Sequence, residues 1–273
     1  MDNLNSIDNK ILVSYLITKF DTIETLQNFV LHYKKFQSGV KHDLLICFKL
    51  LDKESINKFQ KALEDIHYIT FIDNFNINDY DFGSYKRIAE IYSSRIIFFL
   101  NSHSYPICDL WLKKVVDNFH ENSVVGTTAS CESLLSSAKL KKVYKIISFI
   151  FRLIKLKNKF NNFPNPHIRT TGILIKADDY LSFMKDKYIL SKEDAWELES
   201  GKISLTNFFK SLNYKIYVVN SDGNKFEEIQ WKLSETYNYL NQQKSIISDK
   251  HTRKYLSLDD NDKNYFQNKT WDV

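Results

Sequence analysis

The sequence is poor in the residues that form covalent or rigid scaffolds: its 273 residues include three cysteines, three prolines and six glycines. Cys47, Cys108 and Cys131 are odd in number and widely spaced. This spacing offers neither a disulfide framework nor a Cys-x-x-Cys zinc site. We therefore expect the three cysteines to be structural.

Long apolar runs and a signal sequence are also missing. No stretch reaches the roughly 18 apolar residues that a membrane-spanning helix requires. The opening MDNLNSIDNK has neither the basic start nor the apolar core of a signal peptide. These absences predict a cytoplasmic protein.

Charge of one sign is not in large excess. The chain has 38 Lys and Arg residues against 33 Asp and Glu residues, and the net charge of +5 is spread along it. This balance does not indicate a nucleic-acid partner. Because a hydrophobic content of 43% is enough to bury a full core, we expect one domain over residues 1–273.

Apolar stretches of strand length alternate with helical patterns through the first half of the chain. Such alternation favours an α/β fold, in which a mostly parallel, doubly wound central sheet is flanked by helices. Residues 10–130 are then a nucleotide-binding half. The strand patterns lie at 10–17, 42–50, 67–74, 95–101 and 123–130, and the helical patterns lie at 18–36, 52–66, 80–94 and 106–119, with Asp52 as a candidate N-cap and Pro106 near a helix start.

The stretch IIFFLNSHSYP, at 96–106, changes abruptly from hydrocarbon to small polar side chains. It reads as a buried strand followed by a loop that carries Asn101, Ser102 and His103. Ligands of open α/β sheets bind outside the carboxyl ends of the strands. We therefore expect these three residues to face a ligand.

Residues 139–160 contain eight Lys or Arg residues and no acid, and they predict an amphipathic helix. One interpretation is a helix that lies in the headgroup layer of an anionic membrane. The other is an ordinary helix packed on the domain with a solvated basic face. The apolar face would carry Val143, Ile146, Ile147, Ile150 and Ile154, and the cations Lys141, Lys145, Arg152, Lys155 and Lys159 lie largely opposite.

Several short motifs occur in one order between Lys10 and Tyr255: FFLNSHSYP, PHIRTTGILI, ESGKISLT, VVNSDG and KHTRKY. In this order the chain resembles the GT-A glycosyltransferases of family 2, and more closely a poorly characterised bacterial group whose LNSHS-like strand end replaces Asp-x-Asp. The resemblance implies that 10–130 is the donor half, 161–255 the acceptor and catalytic half, and 256–273 a C-terminal tail.

The resemblance implies donor-binding roles for an Asp before a helix and for the strand-end triplet. Asp81 and Asn101-Ser102-His103 occupy those places. The departure from Asp-x-Asp leaves only His103 as a metal ligand in the triplet, and imidazole suits Mn²⁺ better than Mg²⁺. Without Mn²⁺ or Mg²⁺, cationic side chains or helix N-termini must stabilise the leaving diphosphate. The candidate side chains are Lys86, Arg87, His103, Arg169 and Arg253.

The resemblance also implies a carboxylate base, for which Glu199 fits best because Ser200 and Gly201 follow it. An inverting transfer needs such a group within reach of the acceptor hydroxyl. The alternative is that Glu199 caps a helix and that Asp194 or Glu193 is the base. The residues in the places of acceptor or diphosphate contacts are His167, Arg169, Thr170 and Thr171, with Trp231 as a sugar-stacking candidate.

These expectations describe a glycosyltransferase that uses a nucleotide-sugar donor and a surface-glycan acceptor, which a lipid could carry at the inner face of the cell membrane. Two other classes stay open. One is a non-catalytic GT-A-like module that binds nucleotide sugars or glycans, and the other is a protein that binds membranes or RNA through residues 139–160. Hydrolysis of the donor separates the first class from the enzyme, and steep salt dependence with no response to nucleotide sugars identifies the second.

Overall fold

The structure, a computed structural model, describes residues 10–140 and 142–272. Lys141 of the predicted basic face and the opening residues 1–9 lie outside the described residues. In the described part the strands are β1 (Ile11–Thr18), β2 (Asp43–Lys49), β3 (Ile69–Asp73), β4 (Ile96–Leu100), β5 (Tyr105–Pro106), β6 (Ser123–Gly126), β7 (Ala129–Ser130), β8 (His167–Ile168), β9 (Ile173–Lys176), β10 (Lys215–Val219), β11 (Lys225–Phe226) and β12 (Ile247–Ser248).

The helices flank these strands. None of them, within the described ranges, combines the length and apolar content of a bilayer-spanning segment. They are α1 (Ile23–Lys35), α2 (Lys53–Lys61), α3 (Tyr80–Ile91), α4 (Trp111–Val116), α5 (Ile146–Lys159), α6 (Ala177–Met184), α7 (Lys192–Ser200), α8 (Leu205–Ser211), α9 (Lys250–Leu256) and α10 (Asp260–Trp271), with 3-10 turns at Val143–Lys145 and Glu228–Ser234.

The main sheet has eight strands in the order β11-β10-β6-β9-β4-β1-β2-β3. β3, β2, β1 and β4 are mutually parallel, and β6 is parallel to β10. β9 lies antiparallel between β4 and β6, and β11 is antiparallel to β10. The predicted α/β class, with a mostly parallel sheet flanked by helices, is confirmed.

The sheet is covered on both faces, which explains why β1 is a continuous apolar run. Leu12 and Leu16 point into the cluster that contains residues of α3, α6 and α8. Val13, Tyr15 and Ile17 point into the opposite cluster, with residues of α1, α2 and α4. A strand buried on both faces does not show the alternation of a half-exposed strand.

The antiparallel strand β9 places the loop that precedes it at one edge of the sheet. Because its direction is reversed, the loop before β9 lies at the edge where β4 and β6 end. Gly172 makes this approach feasible: its φ is +71°, and a Cβ there would lie 2.3 Å from Thr127 Oγ1. The HIRTTG segment therefore meets the end of the strand that carries Asn101.

Most predicted elements occur within a few residues of their expected bounds. Asp52 is an N-cap, as predicted, and its side chain accepts from Ser55 N. Thr22 is also an N-cap, and its side chain accepts from Thr25 N. Two features differ from the prediction. The helix predicted from Pro106 begins only at Trp111, because Pro106 lies in β5 and pairs with Ile247. The tail from residue 256 is largely helical, since α10 occupies most of it.

Candidate active site

A cavity of about 410 Å³ opens at the carboxyl edge of the sheet. Its walls come from the start of α3, the end of β4, the loop before β9, helix α7 and the C-terminal third of the chain. The predicted site residues that line it are Asp81, Asn101, His167, Arg169, Thr170, Thr171 and Glu199.

A chain of polar contacts joins the end of β4 to the start of α9. Asn101 Nδ2 donates to Thr171 Oγ1 (2.9 Å), and that hydroxyl donates to Asp249 Oδ2 (3.1 Å). The same carboxylate oxygen lies 2.9 Å from Arg169 Nη1, and the guanidinium stacks over the Tyr237 ring at 3.9 Å. Asn101 Oδ1 is buried and has no protein partner among the described residues. It is therefore a free acceptor beside the cavity.

Asp249 holds this series of polar contacts in place. Its Oδ1 accepts from Thr252 N at 2.7 Å, which caps α9. Burial opposes ionisation of the carboxyl, but the Arg169 guanidinium and the Thr252 N–H lower its pKa to about 2. Asp249 is thus a fixed anion that holds Arg169 in place.

Glu199 is oriented by the HIRTTG loop. Its Oε1 accepts from both Thr170 N (3.1 Å) and Thr170 Oγ1 (3.2 Å). The residue lies in the last turn of α7 and lines the cavity. Two donors on one oxygen fix the carboxylate and leave the other oxygen for a substrate.

Asp81 lies in the first turn of α3, across the cavity from α7. Burial, with smaller contributions from the carboxylates of Glu199 and Asp21, raises its pKa to about 6 against the opposing effects of a backbone hydrogen bond and of the Lys49 charge. A carboxyl with such a pKa exchanges its proton near neutral pH, a property typical of functional sites.

His167 presents a neutral ring to the cavity. Its Nδ1 lies 2.8 Å from the Asn165 carbonyl, which can only accept, so Nδ1 carries the proton and Nε2 is an acceptor. Burial lowers the pKa of this imidazole although the Glu199 carboxylate opposes the shift. The ring therefore contributes a hydrogen-bond acceptor rather than a positive charge.

His103 and Ser102 follow Asn101 but do not line the cavity. His103 has a φ of +64°, and its Nε2 lies 3.2 Å from Asp21 Oδ1 at the end of β1. Asp21 Oδ2 in turn accepts from the backbone and hydroxyl of Thr18. The ends of β1 and β4 are therefore linked beside the cavity, and a donor role for His103 stays a prediction.

Arg87 is placed in a buried ion network rather than in the cavity. Its Nη2 lies 2.6 Å from Asp73 Oδ2 and its Nη1 2.7 Å from Asp79 Oδ2, while Lys49 pairs with Asp79 from the other side. The Asp79 carboxylate packs over Gly83, where a Cβ would collide with it. Arg87 is thus neutralised, and its neighbour Lys86 does not line the cavity either.

Three other predicted residues lie away from the cavity. Asp194 pairs with Lys159 of α5 (3.0 Å) and accepts from Leu190 N and Ser191 Oγ. Trp231 is fully buried in the core, so protein covers the ring that we had expected to stack on a sugar. Arg253 stacks over Tyr105 and lies 3.2 Å from Ser248 Oγ.

Several cavity residues were not anticipated from the sequence. Glu132 accepts from Thr270 Oγ1 (2.8 Å) and pairs with Lys269 (2.9 Å), which brings α10 to the wall. Asp249 could have been recognised as an N-cap, because Thr252 follows it at the spacing of a capping box. The remaining unanticipated wall residues include Ser130, Ser133, Lys192, Trp196 and Tyr237.

The metal requirement stays a prediction. Among the residues that the structure describes, no group of three His, Cys, Asp or Glu side chains could hold a metal. Asp21 and His103 are the two such groups that meet at the strand ends. Positive charge at the cavity wall comes from the side chains of Arg169, Lys192 and Lys269.

Comparison with known proteins gives only distant similarities. No family profile matches the chain, and no curated protein matches it in sequence. The similar solved structures include the mannosyltransferase Ktr4p from S. cerevisiae (10% identity, TM-score 0.41, 71% of this chain and 64% of that one). They also include the bifunctional glycosyltransferase WbbM (12%, 0.46, 94% and 43%) and a nucleotidyl transferase from Methanothermobacter thermautotrophicus (11%, 0.41, 77% and 86%). The chain thus spans less than two thirds of the first two structures, and these similarities assign it to no family.

Proposed function

We propose that the protein is a glycosyltransferase that moves a sugar from a nucleotide-sugar donor to a glycan acceptor in this cavity. The observation that carries the proposal is the convergence of Asp81, Asn101, Arg169 and Glu199 at the carboxyl edge of one sheet. In open α/β sheets that edge is the usual ligand site. The motif order described above favours a surface glycan as the acceptor.

The donor is proposed to lie between α3 and the HIRTTG loop. The free Oδ1 of Asn101 and the carboxyl of Asp81 suit hydroxyl groups of a ribose. Arg169, held by Asp249, and Lys192 suit the diphosphate, whose negative charge grows as it leaves. These side chains would supply the stabilisation that a metal provides elsewhere.

Glu199 is proposed as the base. An acceptor hydroxyl would attack the anomeric carbon, the bond from that carbon to the diphosphate oxygen would break, and the hydroxyl proton would pass to Glu199. The two bonds from Thr170 support this role because they hold the carboxylate in one orientation. Direct attack on the opposite face of the sugar gives inversion.

A test compares Glu199→Gln with Asp194→Asn. Removing a general base lowers turnover by about 10²- to 10⁴-fold, and we expect this loss for Glu199→Gln with donor affinity nearly unchanged. Asp194→Asn removes the pairing with Lys159 on the far side of α7, so we expect full turnover. Sugar transfer and donor hydrolysis are the measurements.

The opposite pattern, with turnover lost in Asp194→Asn alone, would contradict the assignment of the base. A second result would contradict the enzyme itself. If wild type binds nucleotide sugars but neither hydrolyses nor transfers them with any glycan, the chain is a binding module.

A further inference from the structure

Helix α5 exposes a row of large apolar side chains. Val143, in the turn that leads into the helix, is 81% exposed, Ile147 69% and Phe151 68%. Ile150 and Ile154 lie on the same side and are about half exposed. We call these five residues the outer stripe. An apolar row of this size on a surface marks an interaction site.

A different row of the same helix packs on the domain. Phe149 and Leu153 are partly buried, Leu156 is buried, and Phe160 at the helix end is 1% exposed. These residues recur at intervals of three and four, which is the spacing of one helical face. Packing therefore accounts for this inner row and leaves the outer stripe without a structural role.

Basic side chains occur on the same helix: at about 100° per residue, Lys157 lies beside the outer stripe, and Lys145 and Arg152 lie largely opposite it. Lys145, Arg152 and Lys157 are exposed, and residues 139–160 contain no acid. At the carboxyl end, Lys155 pairs with Glu193, and Lys159 lies 3.0 Å from Asp194 and 2.7 Å from Glu197. These pairs fasten the helix to α7, so that the stripe and the free cations face outward on a fixed support.

We propose that the outer stripe and the exposed cations of the same helix bind the surface of an anionic lipid bilayer. The apolar residues would enter the boundary between headgroups and acyl chains, and the cations would meet anionic headgroups. RNA would pair with the positive charges but would leave the apolar residues exposed to water. An apolar protein surface would bury the stripe but would not account for a run of cations without an acid.

This surface lies beside the cavity. Ser133 and Ser137, in the segment that leads to the helix, line the cavity wall, and so do Trp196 and Glu199 of α7, to which the helix is paired. Bilayer binding would therefore bring the cavity close to lipid. If the proposed function holds, the acceptor is one that a lipid carries. The binding surface itself does not depend on that function.

Co-flotation with vesicles tests the proposal on the full chain. We expect wild type to float with phosphatidylcholine vesicles that contain phosphatidylglycerol and to remain behind with phosphatidylcholine alone. The double variant Ile147→Glu/Phe151→Glu should lose flotation. The matched control Leu31→Glu/Ile229→Glu also replaces two exposed apolar residues, 61% and 93% exposed, and should float like wild type.

The cations provide a second measurement. Lys145→Gln, Arg152→Gln and Lys157→Gln should each weaken vesicle binding about fivefold, the usual contribution of one basic residue near an anionic surface. Circular dichroism should show an unchanged helix content, since all five altered side chains are exposed.

Four results would overturn the proposal. The first is equal flotation with neutral and anionic vesicles, and the second is flotation that survives Ile147→Glu/Phe151→Glu. The third is a self-associated chain that this double variant converts to monomer with no vesicle binding by wild type, since a second copy would then cover the stripe. Binding to single-stranded RNA but not to vesicles would likewise assign the surface to nucleic acid.

Discussion

Asp81 is the residue at which function and stability conflict most clearly. A half-buried carboxyl near two other carboxylates is costly to ionise, and its pKa of about 6 reflects that cost. Asn would fill the same place without a charge. Natural sites often retain such a residue because the bound ligand needs it.

This conflict predicts an opposite effect of Asp81→Asn on stability and on binding. Between about pH 4 and pH 6 the folded protein holds a proton that the unfolded chain releases, so the Asp81 contribution makes unfolding easier as pH rises. Asp81→Asn should match wild type near pH 4 and exceed its free energy of unfolding by about 2 kcal/mol near pH 7. The same variant should lose nucleotide binding.

Urea unfolding at the two pH values measures the stability effect. Asp178→Asn, which alters an exposed acid of α6, is the control and should follow wild type at both. A stability difference that does not change with pH would show that Asp81 is not protonated in the folded protein.

At the scale of elements, the ion network around α3 connects the ends of β2 and β3 to that helix. Arg87 binds Asp73 at the end of β3 and Asp79 at the start of α3. Lys49 reaches the same carboxylates and the Ser84 hydroxyl from the end of β2. Because the carboxylates are buried, losing one cation leaves an uncompensated charge.

We therefore expect Arg87→Met to lower the free energy of unfolding by about 3–5 kcal/mol, as breaking a buried pair does. Lys86→Met, at the next position of the same helix, should change it by less than about 0.5 kcal/mol. Denaturant unfolding checks both values. Lost nucleotide affinity with unchanged stability in Arg87→Met would restore the donor-binding role that the sequence first indicated.

The scale of elements also shows why local pattern could not choose between Asp194 and Glu199. Both are acids of α7, and five residues in a helix turn through about 140° from one face toward the other. Asp194 therefore meets Lys159 of α5, whereas Glu199 meets Thr170 and the cavity. Which face meets which neighbour depends on tertiary packing.

For the whole molecule, the features that could be predicted from the sequence are those that depend on local periodicity. The buried strands, the N-cap at Asp52 and the polar end of β4 are predictable because they depend on neighbouring residues. The reversed direction of β9 and the pairing of Arg169 with Asp249, 80 residues apart, depend on long-range packing. For the C-terminal wall of the cavity, the sequence therefore offered only the motif KHTRKY, which contains His251, and a capping box.

Because the cavity joins distant parts of the chain, a donor that binds there should stabilise the molecule as a whole. A nucleoside diphosphate at about 100 times its dissociation constant contributes about 2.7 kcal/mol. For a chain of this size that is a rise in Tm of about 5–10 °C. We expect the rise to persist with a chelator, because the charged neighbours of the diphosphate are protein cations such as Arg169 and Lys192.

Variants at the end of β4 test whether the rise in Tm comes from binding in this cavity. Asn101→Ala should abolish the rise in Tm because it removes both the free acceptor and the link to Thr171. His103→Ala should reduce the rise, with or without chelator, if the imidazole donates directly to phosphate. His120 is an exposed histidine just before β6, and His120→Ala should leave the rise in Tm unchanged. A rise that requires Mn²⁺ and disappears in His103→Ala would instead identify His103 as a metal ligand, and a full rise in that variant would leave the histidine only the shaping of its loop.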